Sequence, residues 1–166
     1  DSRIAGAAVF SVPCDLAGSA DQLAQPSNRL YMRRFLRELR TKMTEKHRLF
    51  PDLINLDGIE RMRTFREFDD QFTAPLHGFR DAEDYWYRCS SQRFLGDIRV
   101  PALIVNAADD PFLGDDSYPV KAVEANHRLA LEIPERGGHV GFVSRVSDGL
   151  YWSEQRAMAF LSSLVE

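Results

Sequence analysis

The sequence predicts an α/β fold of about three parallel strands with flanking helices, and three observations predict it. Three short apolar runs, Ile4–Val12, Ala102–Asn106 and Arg128–Ile133, are bounded by Pro13, Pro101 and Pro134. The residues between them carry apolar side chains at helical spacing. An acidic turn follows the second run and a glycine-flanked histidine follows the third, at the strand ends where parallel sheets gather functional groups.

The 166 residues suit one domain. A chain of this size buries roughly 70% of its unfolded surface. A composition of 44% hydrophobic and 28% charged residues with a net charge of −4 excludes a disordered tail and a binder of nucleic acid driven by basic charge. Cys14 and Cys89 form no C-x-x-C and have no histidine pair at zinc spacing. Two free thiols in a reducing compartment follow, so the expected location is cytoplasmic. There is no apolar run of about 18 residues, and the N-terminus has neither a basic signal region nor an initiator methionine. The chain is therefore expected to begin inside a longer protein.

Ile4–Val12 is small and apolar and ends in β-branched and aromatic residues, the pattern of a strand buried on both faces. Ala102–Asn106 repeats that pattern after Pro101, whereas Arg128–Ile133 alternates more, as a strand nearer a sheet edge does. The long interval between the first two strands reads as helical and is expected to form a cap insertion over about residues 14–96. Within it Met32, Phe35, Leu36, Leu39 and Met43 mark one helix face, with Arg33, Arg34, Arg37 and Arg40 between them. Asp57 and Glu60 suggest a capping box for a helix carrying Ile59, Met62 and Phe65, and Asp81 a cap for one carrying Tyr85, Trp86 and Cys89. A helix is expected near Val120–Ala125. Another is expected after Ser153, with Ala157, Phe160, Leu161 and Leu164 inward.

Asp110 and His139 are the candidate catalytic pair. A carboxylate beside an imidazole fixes its tautomer and stabilises the imidazolium formed when the ring takes a proton. Asp109 could cap the same turn in place of Asp110; Asp110 is preferred because it immediately precedes Pro111–Phe112. Asp15, just past the first strand, is a competing position for the acid and reads better as a solvated turn residue. Cys14 lacks a glycine-flanked elbow and reads as a small buried residue. Ser90 and Ser91 read as helix-capping residues. His47, His77 and His127 show no metal spacing, and the basic stripe from Arg29 to Arg48 reads as the solvated face of a cap helix more than as a lipid-docking one.

Five ordered segments resemble the YheT-like branch of the α/β hydrolases: AAVFSVP at Ala7–Pro13, REFDDQFTAPLHGF at Arg66–Phe79, DAEDYWYRCSS at Asp81–Ser91, IRVPALIVNAADDPF at Ile98–Phe112 and GGHVGF at Gly137–Phe142. The resemblance implies the C-terminal portion of an α/β-hydrolase fold, in one partial domain over 1–166. It implies a serine hydrolase acting on small-molecule or lipid carboxylic esters, with Asp110 and His139 as triad acid and base. No metal or organic cofactor is implied. The segment Phe68–Phe79 would help shape the acyl pocket.

The nucleophile serine of a G-x-S-x-G elbow is absent from this sequence, and the resemblance places it and the oxyanion donors in preceding segments. Loss of the nucleophile costs on the order of a million-fold in rate, so the isolated chain is expected to be inactive. If Ala7–Val12 is the sixth strand of the family's sheet, its open edge is expected to pair with the missing N-terminal half or with a second copy. The competing expectation is a non-catalytic interaction module derived from the same fold.

Overall fold

A three-stranded parallel sheet in the order β1-β2-β3 is formed by Ala7–Phe10 (β1), Ala102–Val105 (β2) and Leu129–Glu132 (β3). The structure is a computed structural model and describes residues 3–143 and 149–164. Ala7 pairs with Ala102 and Ala102 with Leu129, so the three strands start level. The chain divides into two compact units, Asp1–Asp15 with Ser90–Glu166, and Leu16–Cys89.

In the first unit β2 is buried along its whole length, with Leu103 and Val105 at 0% exposure, because both sheet faces are covered. Ala102 and Ile104 turn to the face packed by Leu95, Ala122 and Val123. Leu103 and Val105 turn to the opposite face, against Phe142, Trp152 and Phe160. The two faces are thus closed by the helices at Val120–Ala125 and Trp152–Ser162, one for each parity of the strand.

Two expectations are corrected here. The first strand is shorter than Ile4–Val12 and is not buried on both faces: Val9 is 37% exposed. The cause is position, since β1 lies at the end of the sheet and hydrogen-bonds only to β2 among the described residues. In the last helix Leu161 faces outward at 39% exposure, while Phe160 packs on the sheet. Helical periodicity cannot bring both neighbours to the same line.

The second unit is helical: α1 (Leu16–Ala24), α2 (Arg29–Leu49), α3 (Phe65–Phe68), α4 (Ala74–Leu76) and α5 (Ala82–Cys89), with a π turn at Asp69–Thr73 between α3 and α4. The helices of the first unit continue the series as α6 (Val120–Ala125) and α7 (Trp152–Ser162). On α2, Met32, Leu36 and Met43 are buried, as the spacing predicts. Asp57 and Glu60 do not cap a helix. Gly58 at φ +77° turns the chain into a single 3₁₀ turn, and the capping box is formed by Thr64 and Glu67 at the head of α3. Asp81 caps α5 through the Asp84 amide at 2.8 Å, and Asp70 takes the Ala82 amide at 2.7 Å.

Asp69 fixes the π turn to α5. Its carboxylate accepts from the Trp86 indole at 2.8 Å and the Thr73 hydroxyl at 2.5 Å. Burial pushes this carboxyl above the usual range despite these bonds. Beside this turn lies a groove of about 510 Å³ lined by Leu53, Ile54, Phe72 and Leu76. A second, of about 330 Å³, is lined by Leu39, Met43, Phe68 and Phe72 with Lys42 and Lys46 at its rim.

Candidate active site

β2 runs straight into the site. After Val105, Asn106 is fully buried and its amide binds main chain on two sides: Oδ1 accepts from the Val12 N–H at 2.9 Å, and Nδ2 donates to the carbonyls of Val12 at 2.9 Å and Ser117 at 2.7 Å. The residues just past β1 and the loop after the acidic turn are thereby pinned to the tip of β2. Ala108 donates to the Pro134 carbonyl at 2.9 Å, joining the tips of β2 and β3 in the same way.

The chain then turns through Asp109 and Asp110. Asp110 is buried, with no exposed side-chain surface. One carboxylate oxygen accepts from the Phe112 amide at 2.9 Å, which is the turn chemistry expected of Asp before Pro. The other meets Nδ1 of His139 at 2.9 Å. A carboxylate can only accept, so Nδ1 is the donor, and in the neutral imidazole this tautomer leaves the lone pair on Nε2. The His139 side chain keeps one-third of its surface exposed, and the Phe112 ring packs against the imidazole with centroids 4.7 Å apart.

The loop bearing His139 is built on two glycines. At Gly137 a Cβ would lie 2.7 Å from the Ala107 Cβ and from the Phe142 ring, and Gly138 stands at φ +58°. Phe142 is buried against Phe10 and Trp152, and its amide donates back to the Gly137 carbonyl at 2.8 Å. The Ser11 hydroxyl, at the end of β1 where φ is +55°, donates to the His139 carbonyl. Oδ1 of Asp109 accepts from the amides of both Gly137 and Gly138 at 2.8 Å. The Gly138 amide first, and the Gly137 amide with it, hold this carboxyl below the usual aspartate range.

Of the residues considered from the sequence, Asp110 and His139 are brought together, and Cys14 meets Ser91. Cys14 is fully buried, and burial pushes its thiol up, away from the thiolate that a nucleophile needs. Asp15 directly precedes α1. Ser90 is buried before the 3₁₀ segment Ser91–Asp97. His47 binds the Ile54 carbonyl at 2.6 Å, and His77 and His127 are exposed. Among the described residues no cluster of three or more His, Cys, Asp or Glu could hold a metal ion, and no helix is long and apolar enough to cross a membrane. Sequence reasoning missed Asn106, Ser11 and the reach of Asp109 to the histidine loop. The glycine pair was the available signal for the last, because adjacent unhindered amides are what a carboxylate can bridge.

A parallel open sheet whose successive strand tips carry an acid and a histidine in contact belongs to the α/β-hydrolase class, here as the C-terminal portion of that fold. Comparison with known proteins narrows the class. The chain is 32% identical over its whole length to YheT of Escherichia coli K12, which bears a provisional esterase name, and spans 49% of that protein. It is 33% identical to phospholipase ABHD3 of Mus musculus over 84% of the chain and 34% of that protein. It is also 33% identical to the monoacylglycerol lipase of Saccharomyces cerevisiae, over 63% of the chain and 23% of that protein. No protein-family model matches, and no solved structure matches. The chain is a homologue of the YheT-like α/β hydrolases and spans about half the length, or less, of the relatives it matches.

Proposed function

We propose that this chain supplies the acid and the base of a serine hydrolase acting on carboxylic esters. The observation that carries the reading is the 2.9 Å contact between the buried Asp110 carboxylate and His139 Nδ1, made across 29 positions of sequence. His139 Nε2 would take the proton of the serine hydroxyl as it attacks the ester carbonyl, then return it to the departing alkoxide. In the second half-reaction the same nitrogen draws a proton from water and restores the serine. Asp110 holds the ring in the tautomer that leaves Nε2 free and stabilises the imidazolium in both steps.

The serine and the oxyanion donors lie on polypeptide outside these residues, so the isolated chain carries no turnover. The open edge of β1 pairs with that polypeptide or with a second copy. A helical cap insertion over about residues 14–96 belongs to one partial hydrolase domain, and Phe68–Phe79 helps shape an acyl pocket. Support for an apolar ester comes from the grooves lined by Phe68, Phe72 and Leu76, and from the relatives named as esterase, phospholipase and monoacylglycerol lipase. The reducing cytoplasm suits two free thiols, one buried and one exposed.

Hydrolysis of a short nitrophenyl ester tests the reading. The full-length protein is expected to turn the ester over, and rigorously purified 166-residue chain is not. Turnover by the chain alone would overturn it.

A further inference from the structure

We infer that Asp109, adjacent to the proposed acid but outside the acid–base pair, is a positioning residue that sets where His139 stands. The two aspartates divide the turn between them. Asp110 satisfies the turn itself through the Phe112 amide and turns its other oxygen to the imidazole. Asp109 reaches across to another strand tip and holds the amides of Gly137 and Gly138 on one oxygen, each at 2.8 Å. This is a two-point grip on main chain, anionic and therefore stronger than a neutral hydrogen bond.

The grip lands where the loop has least freedom to compensate. Gly137 fits only because it lacks a side chain, and Gly138 occupies a left-handed conformation that the carboxylate bridges from outside. The next residue is His139, whose carbonyl takes the Ser11 hydroxyl. The histidine is thus held on its N-terminal flank by Asp109 and on its C-terminal flank by Ser11, while its ring meets Asp110. Without the first anchor two adjacent amides lose their partner, and the backbone immediately before His139 is free to turn. A displacement of about 1 Å in a reacting group costs on the order of 100-fold in rate.

This inference rests on His139 being the base, and the test separates the two. In the full-length protein, Asp109→Ala is compared with Asp109→Asn and His139→Ala by the rate and concentration dependence of fluorophosphonate labelling. The low-field NMR signal of the Nδ1 proton is read alongside. Asp109→Ala is expected to slow maximal labelling about 10- to 100-fold with half-saturation unchanged within about twofold, and to shift or broaden the Nδ1 signal. Asp109→Asn, whose amide oxygen can still accept from both glycines, is expected to recover most of the rate. If Asp109→Ala does not fold, Asp109→Ser, a turn former too short to bridge the loops, becomes the deciding variant. Parental labelling and an unmoved Nδ1 signal in the deciding variant, with His139→Ala inert, would overturn the role of Asp109 alone. Labelling that survives His139→Ala would instead overturn the base.

Discussion

Oδ2 of Asp110 and Nδ1 of His139 stand 2.9 Å apart, with the carboxylate sealed from solvent and the imidazole one-third open. The burial is asymmetric in a useful way. The acid is shielded from water at its partner, while the ring keeps part of its surface open. Asp110→Asn should preserve the fold yet allow the amide to donate to Nδ1, trapping the tautomer whose Nε2 carries the proton. Steady-state kinetics on the full-length protein should show kcat lower by about 10⁴-fold with KM little changed.

Asn106 should prove a stability residue, although it lies at the site. Truncation to alanine removes the Asn106 bonds to the half-buried Val12 N–H and to the Ser117 carbonyl, while the Val12 carbonyl keeps the Cys14 N–H at 2.9 Å. Each such group costs about 1–3 kcal/mol, partly relieved by relaxation, so Asn106→Ala should lose about 2–4 kcal/mol in urea unfolding. A loss below about 0.5 kcal/mol would mean that water replaces these bonds freely.

The Asp109 clamp should be sensitive to acid. Its carboxyl is depressed in the folded state. Its stabilising contribution is therefore full above the ordinary aspartate value, about 3.9, and is lost as pH falls through the lower folded range. Amide hydrogen exchange of Gly137 and Gly138, corrected for intrinsic rates, should show protection that drops below that point. Asp109→Ala should lose the protection at every pH.

Asp69 runs the opposite way. Burial raises its carboxyl, so its favourable contribution is full below the ordinary aspartate range and is lost as pH rises through the folded range. Asp69→Asn, whose carbonyl can still accept from the Trp86 indole while its NH2 donates to the Thr73 hydroxyl, should flatten this pH dependence in urea midpoints. Trp86→Phe removes the indole N–H from a buried carboxylate. It should destabilise the helical unit by about 2 kcal/mol near neutral pH.

Much of this was legible in the sequence, for identifiable reasons. Pro101 and Pro134 punctuate apolar runs too short to be helices, so β2 and β3 fall within a residue or two of where they were expected. Asp110 and His139 stood out because a parallel sheet brings successive strand tips together whatever the intervening sequence. Side-chain bonds to distant main chain were not legible. Nothing local distinguishes Asn106 from a surface asparagine, or tells that Asp109 grips Gly137 and Gly138; the following Pro111–Phe112 was the local sign that favoured Asp110 over Asp109 as the partner of the imidazole. The misplaced capping box has a similar origin. Asp57-x-x-Glu60 and Thr64-x-x-Glu67 have the same form, and Gly58 in a left-handed turn decides between them.

The central claim is that His139 is the base for a serine carried elsewhere in the protein. Fluorophosphonate labelling of the full-length protein tests it most directly. Labelling should be robust in the parent and fall at least about 10³-fold in His139→Ala, with the melting temperature little changed. Undiminished labelling of a folded His139→Ala protein would contradict the claim.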